Sequence, residues 1–239
     1  MAPVMGLAVG ECVLVQCFEV WCRLVRQTHQ LCGASVRSQA IWGSPGTVCS
    51  FRAHVMAVDR VEKRLRRVTS ALDAAGVRYA VAGGNAVAAW VGRVDPAATR
   101  ATRDVDLLVR RADLEHISEI MRGLGFERHD LRRLVLFVDP EEPSRRSGVH
   151  LVWADERVRP SYLCPAPSVS EAVRDPEGFW VVDLPALVRM KLTSDRPIDR
   201  AHVADMLSVG LIGQAVRDSL PSPLRGRLSD IEAAIEEDP

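Results

Sequence analysis

The sequence predicts an α+β protein, in which a mixed β-sheet of four to five strands is packed with helices and followed by a helical C-terminal part. Two observations carry this prediction. Short apolar segments typical of strands alternate with helical segments as far as Phe179–Val182, and beyond them the spacing is helical throughout. The 239 residues are 47% hydrophobic and 26% charged, which is the composition of an ordinary globular protein.

Charge and hydropathy exclude several classes of protein. Thirty-one basic residues balance thirty-one acidic ones, so the chain has no overall charge that would attract a nucleic acid or a membrane surface. No run of about 18 uncharged apolar residues occurs, which argues against a transmembrane helix. The composition therefore favours a soluble enzyme or binding domain.

The chain divides into three predicted parts: residues 1–55, residues 56–210 and a helical tail over 211–239. The first part contains only two acidic residues and five of the six cysteines, in spacings that match no zinc or haem pattern. We expect it to be disordered or a spurious extension upstream of a true start at Met56. The alternatives are a weakly folded helix around Val13–Val25 that docks on the domain, and a metal or redox role. The cysteines concerned are Cys12, Cys17, Cys22, Cys32 and Cys49.

The first predicted elements are a helix, a strand and a second helix. Apolar residues recur at steps of three and four within Ala57–Ala75, which is helical spacing. Val77–Ala82 is short and mostly apolar, as expected of a strand. Asn85 is then predicted to cap a helix over Ala86–Val91, and the following Gly- and Pro-containing segment up to Thr102 is predicted to be a loop.

Further strands and one helix follow. Asp104–Val109 alternates charged and apolar residues before it turns apolar, which predicts a strand with one exposed end. The next predicted elements are a helix over Leu114–Leu124 and strands over Leu134–Val138, Val149–Trp153 and Phe179–Val182.

The C-terminal part is predicted from helix start and stop signals. Asp183 and Pro185 begin a helix that ends near Ser194, because Asp195-Arg196-Pro197 interrupts the spacing. Helical spacing resumes over Ile198–Ser208. A last helix is predicted over Leu224–Glu236.

Two short segments twenty residues apart are the candidates for chemistry. Gly83-Gly84 lies between a predicted strand and a helix, where glycine lets the backbone approach a phosphate and the helix N-terminus supplies donors. Asp104 and Asp106 are two residues apart on a strand and therefore point to the same face. Neighbouring carboxylates repel each other unless a cation lies between them, and Mg²⁺ with phosphate oxygens is the natural occupant.

These segments resemble the nucleotidyltransferase superfamily, in which a Gly-Gly or Gly-Ser turn precedes a strand with Asp-x-Asp. The resemblance runs from Tyr79 to Leu207 and is strongest to the minimal nucleotidyltransferases, including the AbiEii-type toxins of toxin–antitoxin systems. The segment Leu187–Leu192, which contains Lys191, is similar to the lysine helix of that branch, and Arg196, Asp199 and Asp205 are similar to its Arg-x-x-Asp stretch.

The resemblance implies metal-dependent transfer of a nucleoside monophosphate (NMP) from a nucleoside triphosphate (NTP) to an acceptor hydroxyl. Asp104 and Asp106 would hold Mg²⁺, with Mn²⁺ as an alternative. Lys191 and Arg103 can also be interpreted as residues without a functional role, Lys191 as a solvated helix lysine and Arg103 as a solvated loop arginine. The residues implied in nucleotide binding are Gly83, Gly84, Asn85, Arg103 and Lys191.

One position departs from the family pattern. Active members supply a third acidic residue from a later strand, and the alternation of the Val149–Trp153 strand puts His150 at that place. Three interpretations of His150 stay open: it acts as a general base, it binds a softer metal such as Mn²⁺, or its presence means that the chemistry is lost. A fourth alternative is that Asp155 or Glu156, just beyond the strand, supplies the carboxylate, although neither has the expected spacing.

Two functions therefore stay open. The first is a nucleotidyltransferase, toxin-like in character, that acts on an RNA (tRNA-like) or a protein hydroxyl and meets a cognate antitoxin. The second is a degenerate module that binds a nucleotide or a partner without turnover. A dinucleotide-binding oxidoreductase is disfavoured because Gly83-Gly84 lacks the G-x-G-x-x-G pattern. Cys164 is the only cysteine after residue 55, so we expect a cytoplasmic protein without a membrane partner.

Overall fold

The computed structural model describes residues 51–132 and 134–237, with side chains from residue 58 onward. The predictions for residues 1–50, including the five cysteines and the Val13–Val25 helix, lie outside these residues. The described part contains seven strands and seven α-helices. The strands are β1 (Tyr79–Ala82), β2 (Val105–Val109), β3 (Glu127–Leu131), β4 (Leu134–Val138), β5 (Val149–Trp153), β6 (Ala172–Arg174) and β7 (Trp180–Val182). The helices are α1 (Phe51–Ala74), α2 (Gly83–Gly92), α3 (Leu114–Gly123), α4 (Leu184–Ser194), α5 (Pro197–Ser208), α6 (Gln214–Ser219) and α7 (Ser222–Glu237).

All seven strands form one mixed sheet in the order β3-β4-β5-β2-β1-β7-β6. β2 pairs with β5 in parallel, and β1 pairs with β7 in parallel. The other neighbours are antiparallel. The predicted α+β class is confirmed, whereas the predicted count of four to five strands was too low.

The two strands that the sequence did not predict are the edge strands of the sheet. Four of the five residues of β3 are polar and all five are exposed or half-buried, and β6 has only three residues. An edge strand pairs on one side only and needs no regular apolar alternation, so polar and short edges are common. The hydrophobic pattern therefore could not show them.

Helices cover the sheet as the apolar spacing requires. Val68 and Leu72 of α1 are completely buried, and α1 packs against β2 and α3. Burying a Val or Leu side chain contributes about 1.5–3 kcal/mol. The helix begins at Phe51, before the predicted start at Ala57. At the other end of the chain, α4 packs against α5 and α7, which confirms the helical C-terminal part.

Strand topology gathers the candidate residues at one edge of the sheet. β1 and β2 are antiparallel, so Ala82 at the end of β1 lies opposite Asp106 at the start of β2. β5 runs parallel to β2 with His150 opposite Asp106. Residues directly opposite each other on paired strands present their side chains to the same face. The Gly83 turn, both aspartates and His150 therefore meet.

None of the described helices combines the length and the apolar character that crossing a membrane requires.

Candidate active site

Three potential ligand side chains converge where β2 and β5 begin. One ligand atom from each of Asp104, Asp106 and His150 lies within 4.8 Å of the other two. His150 Nδ1 is 3.5 Å from Oδ2 of Asp104 and 3.5 Å from Oδ1 of Asp106. All three side chains are half-buried. Two oxygens and one imidazole nitrogen form a donor set that fits a divalent cation.

The glycine turn touches this cluster directly. Gly83 has a φ of +64°, and a Cβ atom there would lie 1.9 Å from Oδ2 of Asp106. Only glycine fits that position, because any side chain would displace the carboxylate and strain the backbone. Helix α2 begins at Gly83, so its first amide groups, which have no partner within the helix, lie beside the acidic cluster. The predicted start of this helix after Asn85 was wrong, because Ala82 occupies the N-cap position.

Asn85 and Thr102 hold Asp104 in place. The Asn85 side-chain amide donates to the Asp104 carbonyl oxygen at 2.6 Å, and the Thr102 hydroxyl donates to Oδ1 of Asp104 at 3.0 Å. A Cβ atom on Gly84 would lie 3.0 Å from the Thr102 hydroxyl, so the turn packs closely against this brace. Sequence reasoning did not select Thr102. Its place two residues before Asp104 is the signal that could have found it, because Ser and Thr hydroxyls often bond groups two residues further along the chain.

The cluster is electrostatically uncompensated. No Lys or Arg side chain forms an ion pair with Asp104 or Asp106 among the residues that the structure describes; the ionisable partner of both is His150. Burial alone would lower the pKa of His150. Its contacts with Asp106 and the Arg145 carbonyl, together with the charge of Asp104, outweigh burial and raise the pKa.

Lys191 lies in a buried ion cluster between α4 and α5. Its ammonium group is 3.0 Å from Oδ1 of Asp199, and both residues are buried. Asp199 also accepts hydrogen bonds from Arg196 at 2.6 Å and from Ser194. Burial would raise the pKa of Asp199, but the Arg196 hydrogen bond and the Lys191 charge lower it to about 2. The interpretation of Lys191 as a solvated helix lysine was therefore wrong.

Three arginines lie near this edge in different settings. Arg196 is exposed. Its hydrogen bond to Asp199 is the main cause of its raised pKa, and the negative charge of Asp106 in the acidic cluster raises this pKa further. Arg103 is exposed beside Asp104. Arg100 forms two hydrogen bonds with Asp205 of α5, at 2.5 and 2.9 Å, and so ties the loop before β2 to the C-terminal helices.

Two cavities lie in the same part of the molecule, and neither is lined by Asp104, Asp106 or His150. One of about 760 Å³ lies between α1, α2 and the loop before β2, and it is lined in part by Asn85 and Thr102. The other, of about 370 Å³, follows β4 and β5 away from His150 and includes Val152. Three arginines line this second cavity: Arg111, Arg132 and Arg157.

A glycine turn at a helix N-terminus lies beside two carboxylates, Asp106 on the neighbouring antiparallel strand and Asp104 just before it, because β2 begins at Val105 and not at the predicted Asp104. This arrangement is typical of a nucleotidyltransferase-like protein. The family described as "Uncharacterised nucleotidyltransferase" matches residues 27–161, and the chain belongs to this family. The match covers more than half of the 239 residues. The predicted superfamily is thereby confirmed, while the AbiEii-type branch stays a prediction.

One solved structure with a TM-score above 0.5 has the same fold at low sequence identity. An antigenic nucleotidyltransferase-like protein from Paracoccidioides brasiliensis is 15% identical with a TM-score of 0.51, over 76% of this chain and 91% of that chain. The antibiotic-resistance factor ANT(2'')-Ia, solved in solution, is 18% identical with a TM-score of 0.48, over 76% of this chain and 97% of that chain. No curated protein matches the sequence.

Proposed function

We propose that the protein transfers an NMP from an NTP to an acceptor hydroxyl with the help of a divalent metal ion. The observation that carries the proposal is the convergence of Asp104, Asp106 and His150 beside the Gly83 turn. Membership of a nucleotidyltransferase family supports the same reaction class.

Each residue group has a role in this reaction. Asp104 and Asp106 would hold the metal ion, Mg²⁺ or Mn²⁺, which neutralises charge on the phosphate being transferred. The backbone amides of Gly83, Gly84 and Asn85 at the start of α2 would bind the triphosphate. The acceptor oxygen forms a bond to the α-phosphorus, the bond from that phosphorus to the bridging oxygen breaks, pyrophosphate leaves, and the hydroxyl proton goes to solvent.

Positive charges near the cluster would bind the leaving pyrophosphate. Arg103 and Arg196 are exposed, and their guanidinium groups can donate charged hydrogen bonds to phosphate oxygens. A direct contact of Lys191 with the phosphates stays a prediction. Its ammonium group binds Asp199, which also binds Arg196, so Lys191 would act on the nucleotide through the position of Arg196.

We propose an RNA as the acceptor, with a protein hydroxyl as the other outcome of the test. The cavity along β4 and β5 is lined by Arg132 and Arg157, and by Arg111, which forms an ion pair with Glu156. Arg132 and Arg157 are exposed, as residues that bind a phosphate backbone must be. This basic surface is local, since the chain as a whole is neutral.

A labelled-nucleotide assay tests the proposal. The full-length protein is incubated with each NTP labelled at the α-phosphate, Mg²⁺ or Mn²⁺, and separated RNA and protein fractions. We expect label on one fraction, lost in Asp104→Asn and kept in Asp130→Asn, which removes an exposed carboxylate from the edge strand β3. Label transfer that survives Asp104→Asn would overturn the proposal.

We further propose that the protein has a toxin-like role in the cytoplasm and that a cognate antitoxin restrains it. The similarity of Lys191, Arg196 and Asp199 to the AbiEii-type pattern supports it. Expression of the wild-type chain should arrest growth, and expression of Asp104→Asn should not. Equal growth with both chains would contradict a toxin-like role while leaving the transferase proposal intact.

The second candidate is a degenerate module that binds a nucleotide or a partner without turnover. His150 at the position of the third carboxylate favours it. In that case the wild-type chain is inactive with every metal and NTP, and His150→Asp gains activity. Robust transfer by the wild-type chain would exclude this function.

A further inference from the structure

The two ring nitrogens of His150 face different partners. Nε2 lies 2.9 Å from the backbone carbonyl oxygen of Arg145. Nδ1 lies 3.5 Å from a carboxylate oxygen of Asp104 and 3.5 Å from one of Asp106. A carbonyl oxygen only accepts hydrogen bonds, so Nε2 carries the proton and donates it. In the neutral ring, Nδ1 therefore presents its lone pair to the two carboxylates.

The distances within the cluster fit a shared cation better than direct hydrogen bonds. A charged N–H···O⁻ hydrogen bond is about 2.7–2.9 Å long, clearly shorter than the 3.5 Å found for both carboxylates. Ligand atoms bound to one metal ion at about 2.1 Å lie roughly 3.0–3.5 Å apart. The spacing of Nδ1 from both oxygens agrees with the second arrangement.

The Arg145 carbonyl is itself held in place. It belongs to a short 3-10 turn, Arg145–Ser147. Ser144 precedes this turn, and its hydroxyl accepts a hydrogen bond from the Arg146 amide. Gly148 follows, and a Cβ atom there would lie 2.9 Å from the Phe137 carbonyl oxygen of β4. The turn is therefore pressed against the sheet. A backbone acceptor that orients the remote N–H of an imidazole is the usual partner of a metal-binding histidine.

We propose that His150 Nδ1 is the third metal ligand of the site and that it makes the site prefer a first-row transition ion such as Mn²⁺ over Mg²⁺. Imidazole nitrogen binds transition ions well, whereas Mg²⁺ favours an all-oxygen shell. In this arrangement Nδ1 is not available as a general base. The inference deepens the proposed function, because it concerns the same site.

Metal binding measured without NTP tests the inference separately from activity. The full-length protein is titrated with Mn²⁺ while free Mn²⁺ is followed by electron paramagnetic resonance, and Mg²⁺ is added as the competitor. We expect Mn²⁺ to bind at least about tenfold more tightly than Mg²⁺. His150→Asp should reduce this preference about tenfold, and His116→Asp, on the exposed side of α3, should leave it unchanged.

Electron spin echo modulation from ¹⁴N gives the direct signature. Bound Mn²⁺ should show imidazole nitrogen coupling in the wild-type chain, and the coupling should disappear in His150→Gln, which keeps an N–H donor for the Arg145 carbonyl but lacks the ring lone pair. Circular dichroism and thermal unfolding check that both variants fold. Bound Mn²⁺ without nitrogen coupling, or Mn²⁺ binding that is unaffected by Asp104→Asn, would overturn the inference.

The outcomes separate this inference from the proposed function. Transfer activity without nitrogen coupling would overturn the ligand role of His150 and leave the transferase intact. Nitrogen coupling in a chain that transfers no label would support the ligand role and overturn the proposed function.

Discussion

Two groups of charged residues lie near the same end of the molecule, and they are organised in opposite ways. In the ion cluster between α4 and α5, Asp199 is 1% exposed and accepts hydrogen bonds from Lys191, Arg196 and Ser194. In the acidic cluster, Asp104 and Asp106 lie side by side next to His150. Within the described part of the chain, neither forms an ion pair with a lysine or an arginine.

The contrast lies in how each group compensates its charges. A buried charge is tolerated when a partner compensates it, and removing one partner of such a pair is strongly destabilising. Uncompensated carboxylates at an accessible edge do not stabilise a fold, and groups of this kind mark functional sites. The first cluster should therefore respond to mutation through stability, and the second through ligand binding.

The largest predicted effect on stability is that of Asp199→Asn. The substitution removes the negative charge and leaves Lys191 buried without a counter-charge, so the free energy of unfolding should fall by about 3–5 kcal/mol. Chemical denaturation of the full-length protein measures this change. Asp205→Asn is the matched control, because Asp205 pairs with the exposed Arg100 and should contribute less than about 1 kcal/mol. Equal effects of the two substitutions would contradict a stabilising role of the buried ion pair between Lys191 and Asp199.

The second prediction is that the free energy of unfolding depends on pH because of His202. This residue is buried on α5, and burial, assisted by the charge of Lys191 and opposed by those of Asp199 and Asp205, lowers its pKa to about 4. The unfolded chain binds a proton near pH 6.5 and the folded chain only near pH 4, so the stability present above pH 6.5 is lost as the pH falls through this interval. The loss is on the order of 3 kcal/mol.

Denaturation curves between pH 7 and pH 4 measure this dependence. His202→Gln cannot titrate, so its stability should vary much less over the same interval. His116→Gln, at an exposed position, should keep the dependence of the wild-type chain. Identical curves for His202→Gln and the wild-type chain would show that another group is responsible.

The sequence predicted the acidic cluster better than the ion cluster for a physical reason. Gly83 and Asp106 are constrained locally, one by a left-handed backbone and the other by strand alternation, and both constraints are visible in a single sequence. The environment of Lys191 depends on how α4 packs against α5, which no local pattern specifies. The same limit hid the contact between Asn85 and the Asp104 carbonyl, since those residues are nineteen positions apart.

Thr102→Val tests the brace of the acidic cluster. Valine keeps the shape of threonine but cannot donate to Oδ1 of Asp104, so the carboxylate loses its orientation. A hydrogen bond to a charged group contributes about 1.5 kcal/mol, which corresponds to roughly a tenfold loss of Mn²⁺ affinity. Thr102→Ser keeps the hydroxyl and should stay close to the wild-type affinity. A valine variant that binds Mn²⁺ as tightly as the serine variant would exclude a positioning role for Thr102.

The smallest effect has the greatest power to distinguish the two clusters, because the same type of substitution should act with the opposite sign. Above the pKa of His150 and in the presence of a chelator, the two carboxylates repel each other, since their ligand oxygens lie within 4.8 Å. Asp106→Asn removes this repulsion and should raise the free energy of unfolding by about 1 kcal/mol. Saturating Mn²⁺ should reverse the order, since an ion that binds only the folded state stabilises the wild-type chain more than the variant. Chemical denaturation with and without Mn²⁺ measures the change in the free energy of unfolding under both conditions. A loss of stability in the metal-free Asp106→Asn protein would mean that the acidic cluster stabilises the fold, as the ion cluster around Asp199 does.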